Sequence, residues 1–122
     1  MQKEAKVLQI IAPSKPEWRD GPVLDPQEGE VLVKVNAITT CPHWDLHIMD
    51  GEPMFPNMKM KYPYTPGQPG HEMVGEVAAL GPGVEGFSIG DRVAAWQDRG
   101  LQVRQGCYAQ YVPFATKSLL KV

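Results

Sequence analysis

Among the side chains of this 122-residue sequence that can bind metals or move protons, six fall in two short segments: Cys41, His43, Asp45 and His47, and His71 with Glu72. Three of them share the segment Cys41-Pro42-His43-Trp44-Asp45-Leu46-His47 with Asp45, and His43, His47 and His71 are all the histidines the chain has. Thiolate and imidazole are the donors that zinc, a borderline-soft cation, prefers. Spacing within that segment does not by itself separate a metal site from ordinary core or capping roles, and the bland role for Cys41 is a small buried hydrophobe at a strand end. His71-Glu72 is more informative. A His-Glu pair opening a strand presents a metal-binding nitrogen and a carboxylate at one fixed point.

The elements that must hold these residues read as short strands. The chain has 12 Gly and 12 Pro spread along its length, which suits many strands joined by specified turns. Val7 to Ala12 predicts a first strand, broken by Pro13-Ser14-Lys15-Pro16. Glu30 to Ile38 alternates, with Val31, Val33 and Val35 on one well-buried face. His71 to Leu80, Arg92 to Trp96 and Tyr108 to Val112 predict three more strands, and only Trp44 to Met49 has room for a short helix. Gly75 suits a close approach of two strands, and Gly81, Gly83 and Gly90 suit turns with positive φ. Asp91-Arg92 reads as a local ion pair or turn cap. From Gly51 to Pro69 the prolines forbid continuous helix and predict a long surface loop. Its Met54, Met58 and Met60 with Phe55, Tyr62 and Tyr64 either cover a substrate cleft, meet a partner, or merely cap the barrel end.

Composition narrows the function classes. A length of 122 residues with 43% hydrophobic content builds one core. The net charge of -2 provides no field to draw in nucleic acid or an anionic membrane. There is no apolar run of bilayer length and Met1 to Glu4 lacks a signal-peptide core, so the expected location is cytoplasmic. Cys41 and Cys107 are too few for a disulfide framework and too far apart for a Cys-x-x-Cys site, and both read as reduced thiols.

The run Gly70-His71-Glu72-Met73-Val74-Gly75-Glu76-Val77, followed by Gly81, Val84 and Gly90-Asp91-Arg92-Val93, resembles the N-terminal GroES-like catalytic domain of the medium-chain dehydrogenase/reductase superfamily, the group of the zinc-dependent alcohol dehydrogenases. Gly106-Cys107-Tyr108-Ala109-Gln110-Tyr111-Val112 resembles that family's G-x-[FY]-A-[EQ]-Y-V strand, in which Cys107 is an ordinary strand residue. The resemblance covers Val7 to Val122 and implies a mostly β fold, a GroES-like partly open barrel of short strands with small helical turns, forming one domain over residues 1–122. Alcohol dehydrogenase, with two cysteines and one histidine on zinc, is itself a standard example of a catalytic zinc site with an open fourth position.

The resemblance also implies roles. Cys41 corresponds to the first zinc ligand, His71 to the second, and Glu72 to the carboxylate beside the metal. Asp45 corresponds to an acid that hydrogen-bonds a metal-bound imidazole and fixes its tautomer. His47 corresponds to the outer histidine that passes a proton to solvent. One departure concerns spacing. The family's C-x-[ST]-D-x-H puts the acid three residues after the cysteine, whereas Asp45 comes four after Cys41. Anchoring on Cys41 puts His43 where a Ser or Thr should relay the proton, and anchoring on Asp45-Leu46-His47 puts Pro42 at the ligand position. A one-residue bulge reconciles the two, with His43 replacing the hydroxyl as relay.

The family's four-cysteine lobe should follow Gly90-Asp91-Arg92-Val93. It is replaced by Ala94 to Gln105, leaving one zinc site at most. The nicotinamide cofactor, NAD or NADP, is held in this family by a Rossmann domain. Gly81-Pro82-Gly83-Val84-Glu85-Gly86 matches its G-x-G-x-x-G by letters but precedes a β segment rather than a helix, so the Rossmann domain is expected outside this chain. The expected function is the substrate- and zinc-binding domain of an NAD(P)-dependent oxidoreductase of small alcohols or carbonyls, inactive alone, with homo-oligomerisation left open. Two alternatives stand beside it: a zinc-free quinone-reductase-like domain, and a free-standing GroES-like binding module using Met54 to Tyr64 as a mobile loop.

Overall fold

The structure is a computed structural model that describes residues 3–53, 60–96 and 103–122. Its described residues form strands β1 (Glu4–Ala12), β2 (Lys15–Pro22) and β3 (Glu30–Ile38), helix α1 (Pro42–Asp50), strands β4 (Met73–Leu80), β5 (Arg92–Ala95) and β6 (Tyr111–Ala115), a 3₁₀ turn (Thr116–Ser118) and strand β7 (Leu119–Lys121). β1 and β2 make an antiparallel hairpin, and the other five strands form an antiparallel sheet in the order β6-β3-β4-β5-β7. The sheet curls into a half-barrel. The hairpin is stitched to it through the stretch before β6, where Leu8 N–H donates to the Tyr108 carbonyl at 2.8 Å and Gln110 N–H to that of Lys6 at 3.0 Å.

Apolar alternation explains the core. Val31 and Val33 of β3, Val77 of β4, Val93 of β5, and Val112 and Phe114 of β6 pack into one cluster with Met73, Cys107 and Leu119. Phe114 and the five valines show 2% exposure or less. Each such side chain contributes roughly 1.5–3 kcal/mol on burial. Leu32, on the opposite side of β3, is also fully buried. The single buried face expected of this strand is therefore two faces at that point, as suits a strand paired on both edges.

Gly75 allows the central pairing. A Cβ there would stand 2.2 Å from the Lys34 carbonyl oxygen and 2.7 Å from Val33 Cγ1, so β3 and β4 could not come this close with any other residue. Gly81 does the same work rather than the positive-φ turn expected of it. Its φ lies outside the left-handed region, and a Cβ would meet the Gln27 carbonyl oxygen at 2.2 Å.

Several elements differ from the sequence expectation. The break after β1 is a tight turn, with Ser14 at φ 61, and the chain returns as β2. β2 is exposed along nearly its whole length, which is why apolar periodicity did not reveal it. The last expected strand starts three residues later, at Tyr111, so Cys107 lies in irregular backbone and not in a strand. It is nevertheless fully buried. Part of the expected surface loop is also interior. Gly67 to Gly70 are buried, and Tyr64 N–H donates to the Ile10 carbonyl at 2.8 Å. Met54, Phe55 and Met58 lie outside the described residues. Asp91 caps its turn, accepting the Ser88 N–H at 2.9 Å. No helix among the described residues is long and apolar enough to cross a membrane.

Candidate metal centre

Cys41, His71 and Glu72 meet because β3 and β4 run antiparallel. Ile38, the last residue of β3, pairs with Met73, the first of β4. Whatever follows β3 therefore lies beside whatever precedes β4. Cys41 follows one strand and His71-Glu72 precede the other, and their donor atoms, a sulfur, an imidazole nitrogen and a carboxylate oxygen, all lie within 4.8 Å of one another. Cys41 and His71 are half-buried and Glu72 is exposed.

Hydrogen bonds orient this cluster. His71 Nδ1 lies 3.0 Å from the Pro69 carbonyl oxygen. A carbonyl only accepts, so the proton sits on Nδ1 and Nε2 is left as a lone-pair donor. That Nε2 is 3.3 Å from Glu72 Oε1. Glu72 Oε2 accepts the Thr39 hydroxyl at 2.5 Å, and Thr39 N–H donates to the Glu72 carbonyl at 3.3 Å. Thr39 is thus a site residue that sequence reasoning passed over. Its type carries no metal chemistry, and only the β3–β4 register places it against Glu72.

Sulfur, nitrogen and oxygen are the donor types zinc takes, and three of them converge beside an open cleft. Donors on one tetrahedral zinc stand about 3.3–3.8 Å apart, so these three need to close by about an ångström. The residues fit the ion.

The spacing anomaly between Cys41 and Asp45 is resolved by a helix start, not a strand bulge. Cys41 is the N-cap residue of α1, with φ -111 and ψ 101, and Pro42 follows in the first turn, where its missing N–H costs nothing. The four-residue spacing makes the first helical bond, Asp45 N–H to the Cys41 carbonyl at 2.8 Å. The Asp45 side chain then turns back, and Oδ2 accepts the Cys41 N–H at 3.1 Å as well as the Tyr108 hydroxyl. Asp45 therefore holds the Cys41 backbone. The bond to an imidazole that the resemblance implied for it is made to His71 by the Pro69 carbonyl instead. Asp45 Oδ1 is buried without a hydrogen-bond partner among the described residues.

Tyr108 is the second site residue the sequence did not reveal. It is 8% exposed, and its hydroxyl reaches Asp45 across 63 positions of sequence. Burial, then the bond to Asp45 and the nearby acidic charges, raise its pKa above the ordinary value of 10.0. His43 and His47 sit together on α1, with ring centroids 5.1 Å apart and planes at 77°. Neither lines the cleft at His71. That cleft, of about 500 Å³, is polar at Thr39, His71 and Glu72 and apolar at Val74, Ala94 and Trp96. A second cavity of about 360 Å³ lies at Asp45 and Tyr108, walled by Leu8, Ile10, Leu46 and Met49.

Residues 27–122 match the family model of the alcohol dehydrogenase GroES-like domain. The chain is 34% identical over 122 residues to alcohol dehydrogenase patD of Aspergillus clavatus, a match covering 82% of this chain and 29% of that protein. Its fold is similar to the cobalt- and zinc-bound thermostable alcohol dehydrogenase of Pyrobaculum aerophilum, with a TM-score of 0.77 and 25% identity, covering 97% of this chain and 41% of that one. The quinone oxidoreductase from Coxiella burnetii is also similar, with a TM-score of 0.74 and 26% identity over 98% of this chain and 37% of that one. The chain belongs to the alcohol dehydrogenase GroES-like domain family. It spans under a third of the curated relative's length.

Proposed function

We propose that this domain carries the metal and substrate side of a zinc-dependent, NAD- or NADP-dependent alcohol dehydrogenase-like oxidoreductase acting on small alcohols or carbonyl compounds. The supporting observation is the convergence of Cys41, His71 and Glu72, of which His71 and Glu72 line the cleft. A zinc ion held by these three residues would supply a Lewis acid for the substrate oxygen. His71 offers Nε2 because Pro69 holds its other nitrogen. Thr39 limits the swing of Glu72, and Asp45 fixes the backbone that carries Cys41. The apolar wall at Val74 and Trp96 orients the carbon side of a substrate while its oxygen faces the polar end. His47, with His43 beside it on α1, is assigned the outer proton acceptor; neither ring lines the cleft, so the proton would reach them through water.

Hydride exchange needs a nicotinamide, and the site for it is proposed to lie in a Rossmann domain outside residues 1–122. The segment Gly81–Gly86 follows β4 as a turn with no helix after it, so it cannot cradle a pyrophosphate on a helix N-terminus. By this proposal the 122 residues bind metal but transfer no hydride alone. The similarity to a quinone oxidoreductase supports a second reading, in which Cys41 and His71 hold no ion and the cleft only orients substrate.

Zinc uptake separates the two. The purified chain, reduced and exposed to zinc, is expected to retain about one ion, measured by mass spectrometry of the metal after dialysis, with C41A and H71A each retaining under a tenth as much. Equal retention by all three proteins would remove the zinc reading and leave the second.

A further inference from the structure

We infer that His43 and His47 form a second, separate binding site, for Ni²⁺ or Cu²⁺, on the surface of α1. The two residues are four apart on one helix, so they share a face. Their ring centroids stand 5.1 Å apart. Two imidazoles on one divalent ion each hold their ring centre about 3.2 Å from it, which separates the centroids of adjacent ligands by about 4.5–5.2 Å. The observed separation falls within that range, with the ring planes at 77°.

The His47 ring is already held for the task. Its Nδ1 lies 3.0 Å from the Glu52 carbonyl oxygen, which places the proton on Nδ1 and leaves Nε2 as the metal donor, the arrangement that orients metal-binding histidines generally. The carbonyl comes to the ring because the chain reverses at Gly51, with φ 79, and both Gly51 and Glu52 donate their N–H to the His47 carbonyl at 3.0 Å. Local charge also favours a cation. Residues 41–53 include Asp45, Asp50 and Glu52 and no Lys or Arg. His43 is exposed, so an ion can enter from solvent and complete its shell with water.

The pair is distinct from the first centre, whose convergent donors among the described residues are Cys41, His71 and Glu72 only. Two imidazoles without a thiolate suit Cu²⁺ and Ni²⁺, the stronger binders of nitrogen sites among first-row ions. An ion here would take both rings out of the proton route proposed above, an inhibitory role that rests on that route; the binding itself does not.

The test is a calorimetric titration of Ni²⁺ into C41S, which disables the first centre and isolates the helix pair. C41S is expected to bind one Ni²⁺, and C41S/H43A and C41S/H47A to bind it at least tenfold more weakly. His43 is exposed, so its replacement leaves packing intact; far-UV circular dichroism checks this, and H43Q provides a second replacement that keeps the polar surface. Ni²⁺ also broadens nearby amide signals in NMR spectra of C41S, with no further substitution needed, and the loss is expected to centre on residues 43–47. Absence of Ni²⁺ binding by C41S, undiminished binding in the double variants, or broadening centred on His71 would each overturn the proposal.

Discussion

The two ends of the short segment 41–47 acquire their neighbours in opposite ways. Cys41 meets His71 and Glu72, thirty positions away, only because β3 and β4 pair with Ile38 against Met73. His43 meets His47 by the period of one helix, whatever the rest of the fold does. The first cluster is as secure as a sheet, and the second as secure as nine residues of helix with an N-cap and a glycine stop. The difference teaches where each site is vulnerable. A defect in the β3–β4 ladder scatters the first and spares the second.

Gly75→Ala strikes that ladder hardest. The added Cβ would meet the Lys34 carbonyl oxygen at 2.2 Å, a backbone atom that cannot turn aside. A loss of about 3 kcal/mol is expected in denaturant unfolding, from overpacking where strands must separate to relieve it. Zinc uptake should fall with it, while Ni²⁺ broadening at residues 43–47 persists in whatever fraction stays folded. Loss of both sites in folded protein would show that α1 depends on the ladder too.

Thr39→Val tests the cluster without disturbing the sheet. Valine keeps the shape and removes the 2.5 Å bond to Glu72 Oε2. Zinc affinity is expected to drop about 10- to 100-fold, the usual cost of freeing a metal-binding carboxylate from its support, with the unfolding midpoint nearly unchanged. A competition titration against a chelator measures this, and an unchanged affinity would show that the Thr39 bond gives the metal site no support.

Tyr108→Phe makes the smallest change. It deletes a hydroxyl that donates to Asp45, leaving Oδ2 its bond from the Cys41 N–H. About 1 kcal/mol of stability should be lost at neutral pH. The sign of its pH dependence follows from the raised pKa of Tyr108. The folded state holds that proton more tightly than the unfolded chain, so the contribution is whole below pH about 10 and is lost as pH rises beyond it. Denaturant unfolding from pH 9 upward should therefore show a shallower alkaline decline in the variant than in the wild type. Parallel declines would place the hydroxyl outside the titration.

Much of this was legible from residue types. The alternation of Glu30 to Ile38 predicted β3 to the residue, and the His71-Glu72 motif pointed to the start of β4. β2 was illegible because an exposed hairpin arm has no buried face to impose a period. Thr39 and Tyr108 were illegible for another reason. Their bonds to Glu72 and Asp45 span 33 and 63 positions, and neither residue type announces a metal site.

The sequence by itself determined the family, the mostly β character and the inventory of donors, since these depend on residue identity, turn chemistry and local period. It also supplied His43 and His47 four residues apart, a separation that becomes a shared face only because the helix starts at Pro42 and takes in His43. The tertiary structure decided which donors converge. Register between β3 and β4, a quantity no single segment contains, set Cys41 beside His71 and Glu72. A helix start at Pro42, rather than a strand bulge, put Asp45 beneath the Cys41 backbone. Long-range pairing selects one alignment among many by burying a whole face at once, so the site inherits its geometry from the core and not from its own residues.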